Sequence, residues 1–320
     1  MQDHIADRRL AKPNIKKPSF KERLKKDFDH NKIKYLMALP IIIFFLVFHY
    51  RPMYGLLMVF QNFSPRLGID GSPWVGLYHF QRFFNDPNAF RIIRNTFNIS
   101  IWSLVFGFPA PIILALLINE IKNKTFRRVV QTVSYMPYFV SIVVVCSLIA
   151  FFTQSNGLIP SIMETFGFQR DNLLANPKYF VPIYVISGIW QTMGWDSIIY
   201  LAALSGIDQE QYEAARIDGA NKLQQIRRIT LPGLKPTIVI LFILRMGSLL
   251  SVGFEKILLL YSASTYSVAD VISTYVYRMG LLNADYSYAA AIGLLNTLVN
   301  LVLLLVTNHI SKKVAGQGLF

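Results

Sequence analysis

Between positions 190 and 200 the chain gathers Trp190, Gln191, Thr192, Trp195, Asp196 and Tyr200. Their spacing places them on roughly one face of a helix. Flat aromatic rings stack on the C–H surfaces of sugars, and the amide, hydroxyl and carboxylate groups beside them bond to sugar hydroxyls. The stripe therefore suits a polar, hydroxylated solute. It equally suits polar packing between helices inside a bilayer, and the sequence leaves both uses open.

Nothing else in the chain has the spacing of a catalytic centre. There is no GxxxxGK[ST] phosphate loop, so ATP chemistry would have to come from another subunit. His4, His30, His49, His79 and His309 are scattered without ligand or triad spacing and are expected at interfaces or exposed. Cys146, the lone cysteine, sits in an apolar run and is expected as a small buried hydrophobe. No metal site is expected.

The stripe needs an apolar helix to carry it, and the composition supplies one. Apolar residues make up 53% of the chain and charged residues 16%, against roughly 25% charged in ordinary soluble domains. The apolar residues gather into runs of about 20, long enough to cross the hydrocarbon layer. These runs predict an all-α integral membrane protein with about six transmembrane helices. The spans are expected at about Tyr35–Tyr50 (extending toward Phe60), Asn95–Ile118, Val129–Thr153, Phe180–Leu204, Thr237–Tyr261 and Tyr288–His309. Pro109 and Pro111 predict a kink in the second.

The net charge of +14 is not a nucleic-acid signal, because Lys and Arg lie at the ends of the apolar runs. Arg8, Arg9, Lys12, Lys16, Lys17, Lys21, Arg23, Lys25, Lys26, Lys32 and Lys34 hold the amino-terminal tail in the cytoplasm. The first apolar run is then a retained anchor rather than a signal peptide. Six spans put Asn119–Arg128, Ser205–Pro236 and Ser311–Phe320 inside, and each carries Lys or Arg. The outer loop Gln154–Lys178 has only Arg170 and Lys178, and Ser262–Ser287 only Arg278. In the outer segment Gln61–Arg94, the rings of Trp74, Phe80, Phe83 and Phe84 suit an interfacial position. The simplest division is a basic tail (1–34), a six-helix membrane domain (35–310, with a cytoplasmic loop at 205–233) and a carboxy-terminal tail (311–320). Both termini are expected in the cytoplasm, with the chain in the plasma membrane.

The cytoplasmic loop Gly206–Pro232 reads as two short helices. Asp208 can cap the first, with Gln211 at the third helical position, and Ile207 and Tyr212 have staple spacing. Gly219 suits the positive φ of a helix end. Asn221 and Gln224 repeat the capping arrangement, Leu223 and Ile226 share a face, and Pro232 is expected to close the unit.

Glu213, Ala214, Ala215, Gly219, Ile229, Leu231 and Pro232 resemble the EAA motif of ABC importer permeases: EAA, three residues, Gly, nine residues, I-x-L-P. Every position matches, in the loop before the penultimate span. The segments RPMYGLLMVFQNF (51–63), WVGLYHFQRFF (74–84), RNTFNIS (94–100) and GWDSIIYLAAL (194–204), with the terminal GQGLF, resemble the carbohydrate-uptake branch. They are similar to its polysaccharide or complex-oligosaccharide permeases, and to the first of the two permeases such importers use.

The resemblance implies a type I importer permease fold. Its loop would be a coupling helix docking on an ATPase dimer, which binds ATP and Mg. It further implies a second permease, an extracytoplasmic solute-binding lipoprotein and a carbohydrate substrate, with the stretch upstream of the loop lining the pathway. Arg245 and Glu255 are candidates for neutralising charge inside the protein, for approaching the partner permease or for a pathway role, and Asn296 and Asn300 for bonds between helices. The alternative function is an ion-coupled secondary transporter of a small polar solute; its usual inverted repeats and intramembrane acidic pairs are not evident.

Overall fold

A computed structural model describes Lys21 and residues 27–320. Most of the basic tail, from Arg8 to Lys26 apart from Lys21, lies outside the described residues, as does His4. The chain divides into two units, residues 1–57 and 58–320.

In the first unit, α1 (Lys32–Phe45) tolerates Pro40 and buries none of its side chains. It continues through a π turn, Leu46–Tyr50, into a 3-10 stretch beginning at Arg51.

The second unit is helical throughout its regular parts; among the described residues the β pairing is an isolated bridge between Gln61 and Trp74. A short helix, α2 (Tyr78–Phe84), leads into α3 (Ala89–Gly107) and α4 (Pro109–Glu120). These two form one 32-residue apolar run, interrupted at Phe108 where Pro109 and Pro111 remove backbone donors.

The expected third span begins later than hydropathy suggests. Val129 belongs to α5 (Lys124–Tyr135), an amphipathic helix capped by Asn123, whose side chain accepts from the amides of Thr125 and Phe126. Pro137 then ends the run in a 3-10 turn, and the apolar α6 (Ile142–Thr153) starts afresh, followed by α7 (Leu158–Thr165).

α8 (Pro177–Ser205) is the 29-residue helix that carries the stripe, capped by Asn176. Five other runs are long and apolar enough to cross a membrane. α8 has the length, but Gln191, Thr192 and Asp196 dilute its apolar character. The cytoplasmic hairpin comprises α9 (Gln209–Ile217) and α10 (Lys222–Gln225). A π turn, Ile226–Thr230, carries α10 directly into α11 (Leu231–Met246). Pro232 therefore does not close the hairpin; its missing donor falls in the first turn of α11, where it costs little.

The expected fifth span is two pieces. α11 stops at Met246, residues Gly247–Gly253 are irregular, and α12 (Phe254–Leu260) follows. Irregular backbone at membrane depth is tolerated where it lines a cavity or is buried in protein. After α13 (Ile272–Tyr277), α14 (Tyr286–Ala315) forms the last span and ends on Gly316 at φ 70°.

Three apolar clusters lie along the second unit. The outer one joins Phe83, Ile92, Tyr275, Tyr288 and Ile292. The central one joins Ile99, Val145, Phe180, Tyr184 and Ile257. The cytoplasmic one joins Ala115, Tyr200, Leu204 and Leu234. Two outer-segment expectations change. Phe83 is core, not interfacial, and His79 is buried, its Nε2 lying 3.0 Å from the carbonyl oxygen of Gln61. The half-buried Phe80 and the exposed Trp74 and Phe84 keep the outward position.

Candidate functional site

α8 packs against α3 and α4 on one side and α11 on another. Between them lies a cavity of about 950 Å³, largely apolar but carrying a set of polar and charged side chains. The helix break supplies one wall, with Ser248, Ser251 and Gly253, and α3 adds Ser100 and Ser103. That break is held from the last span: the Leu250 amide donates to Asn300 Oδ1 at 3.0 Å, and Asn300 Nδ2 donates to Ser251 Oγ at 3.2 Å. Asn300 thus bonds between elements as expected, whereas Asn296 Oδ1 is buried without a protein partner.

The stripe divides. Gln191, Thr192, Asp196 and Tyr200 line the cavity, as do Arg245 and Glu255. Trp190 and Trp195 do not. Trp190 comes two residues after Gly188, a cavity residue, which turns it roughly 200° around the helix; it is 45% exposed. Trp195 stacks on Tyr138 with centroids 4.8 Å apart and planes within 6°, and meets Phe139 edge-on. Next to it, Gly194 permits a close crossing, since a Cβ there would stand 1.9 Å from the carbonyl oxygen of Ser134. The two tryptophans therefore serve the outside and the α5 junction, and the cavity sets hydrogen-bonding and charged groups among apolar side chains such as Phe108, Ile189 and Leu244.

Reading the sequence passed over Lys256, which also lines the cavity. Its Nζ donates to the carbonyl oxygen of Tyr184 at 3.0 Å and lies 4.8 Å from that ring's centroid. The Tyr184 hydroxyl accepts from the amide of Gly253 at 3.1 Å, tying α8 to the helix break.

The hairpin is built locally. Asp208 caps α9 by accepting from the amide of Glu210, one position earlier than Gln211. Gly219 has φ 77° and ends the helix. Asn221 and Gln224 form a reciprocal capping box, at 2.8 and 2.9 Å. Ile207 occupies the space a Cβ at Gly233 would need, and the Tyr212 hydroxyl lies 3.0 Å from Thr230 Oγ1, so the hairpin is anchored on the base of α11. Lys222 pairs with Glu120 at the end of α4, at 2.7 Å. Glu213 and Ala214 are exposed, Ala215 and Ile229 are half-buried, and Leu231 and Pro232 open α11.

A membrane helix bundle with polar and charged groups lining an internal cavity, and a compact cytoplasmic knob, fits a transport subunit. Residues 107–316 match the family model described as "Binding-protein-dependent transport system inner membrane component". The chain belongs to this family.

Two relatives from Bacillus subtilis (strain 168) are each 42% identical to this permease. Protein LplB covers 94% of both chains; the polygalacturonan/rhamnogalacturonan transport system permease protein YteP covers 96% of both. A solved bacterial ABC transporter involved in import of the acidic polysaccharide alginate contains a chain 46% identical, with TM-score 0.84, covering 91% of this permease and 99% of that chain. A second structure, the alginate transporter with a pentasaccharide-bound periplasmic protein, gives 45% identity and TM-score 0.85, covering 93% and 100%. As a membrane component of an ABC importer the permease is non-catalytic, and its helices place it in the membrane.

Proposed function

We propose that this permease moves an oligosaccharide or polysaccharide fragment, delivered by an extracytoplasmic binding protein, through the cavity beside α8. A second permease completes the pathway, and a partner ATPase dimer binds ATP and Mg²⁺. The observation that carries the reading is the polar wall of Gln191, Thr192, Asp196 and Tyr200 on an otherwise apolar span. Polar groups at that depth are costly unless they face a partner or a pathway. The related transporters named above carry alginate and polygalacturonan/rhamnogalacturonan, both carbohydrates.

Glu213, Ala214, Ala215 and Gly219 lie on the knob that would meet the ATPase. Ile217 and Leu223, 87% and 74% exposed, offer apolar contacts to the same partner. Because the hairpin continues unbroken into α11, a push on it is delivered to the helix that ends at the cavity.

Reconstitution in liposomes tests this reading. The assembled complex with its binding protein should take up labelled oligosaccharide only with ATP, and the isolated chain should neither hydrolyse ATP nor move sugar. Turnover by the isolated chain would overturn it.

A further inference from the structure

Lys256 is only 6% exposed and forms no ion pair among the described residues. Its ammonium carries three donors, and the protein answers with one carbonyl and the face of one ring, both from Tyr184. A buried ammonium without a counter-charge is costly and is usually balanced by a partner.

The other cavity charges do not fill that role. Asp196 lies within electrostatic reach of Arg245, and Glu255, one residue before Lys256, is exposed and projects about 100° away around the helix. Gly188 lines the cavity beside the ammonium, and a Cβ there would stand 3.4 Å from Nζ. A larger side chain at 188 would cover the charge, so glycine keeps it open to whatever fills the space.

We infer that Lys256 is a carboxylate-recognising residue, and that the solute crossing the cavity is an acidic oligosaccharide built of uronic acid units. This rests on the carbohydrate-permease reading. A uronate carboxylate accepts from the free ammonium donors, while its hydroxyls bond to Gln191, Thr192, Ser248 and Ser251.

The test compares an oligogalacturonate with its fully methyl-esterified form, each presented on saturating binding protein to the complete complex in liposomes. The readout is the ratio of the two ATP-dependent uptake rates. Lys256→Met should lower the acidic-to-neutral ratio by about tenfold or more, the weight of one charge-assisted hydrogen bond, and Lys256→Arg should restore most of it. If Lys256→Met slows both sugars equally, the lysine is structural and the inference fails. Should the variant not assemble, the parent complex decides: a ratio near one overturns acidic selectivity while leaving the carbohydrate reading intact. Failure of the parent to move either sugar overturns both.

Discussion

The backbone amide of Leu250 lies 3.0 Å from Oδ1 of Asn300, so a side chain of the last span holds the irregular segment that divides span five. Asn300 is buried, and its Nδ2 reaches Ser251 in the same segment. One residue therefore fixes a cavity wall. Asn300→Leu would leave the Leu250 N–H without its acceptor at a cost of about 1–3 kcal/mol. The complex carrying it should melt at lower temperature and transport more slowly. Parent-like melting and transport would show that the break holds itself.

On the outer side, Asp86 receives the hydroxyls of Tyr275 and Tyr288 and both the amide and side chain of Asn88. Burial pushes its carboxyl up, but these hydrogen bonds together outweigh burial and hold it below the usual carboxylate range. Stabilisation from a lowered pKa is present above the unfolded value, about 3.9, and is lost as pH falls through the folded value. Melting temperature should therefore drop as pH is lowered past about 4, and Asp86→Asn should flatten part of that drop. An unchanged acid limb in the variant would remove Asp86 from the account.

The hairpin separates coupling from folding. Glu213 is exposed, so Glu213→Lys should change stability by no more than about 0.5 kcal/mol while abolishing uptake and substrate-stimulated ATP hydrolysis. Gly219 differs, because its φ of 77° costs a β-branched residue about 1–3 kcal/mol. Gly219→Asn should be tolerated better than Gly219→Val, since asparagine adopts this conformation more readily. Equal transport by Glu213→Lys and the parent would contradict the coupling role.

What was legible in the sequence was local. The Asn221–Gln224 box, the positive φ at Gly219 and the break at Pro109 each depend on residues a few positions apart, so their patterns survive without tertiary knowledge. The break at Gly247–Gly253 was hidden because hydropathy runs through it; what stabilises it is Asn300, fifty residues away. The stripe on α8 was drawn too broadly, since residue type alone does not distinguish Gln191, which meets the cavity, from Trp195, which meets Tyr138. Lys256 escaped notice because no local pattern marks it; its partner is a carbonyl on α8, 72 residues earlier. His79 was likewise misplaced because its partner, the carbonyl of Gln61, belongs to an isolated bridge with Trp74 that leaves no sequence pattern.

The central claim is that solute passes the Thr192 side of α8 and not the Trp190 side. Its most direct test is thiol accessibility in the assembled complex, with Cys146 replaced by Ala and a single cysteine introduced by Thr192→Cys or Trp190→Cys. The account predicts that a hydrophilic thiol reagent modifies position 192, that sugar-loaded binding protein together with ATP slows the modification, and that position 190, facing away from the cavity, reacts little and is not protected. Protection at 190 with none at 192 would contradict the account.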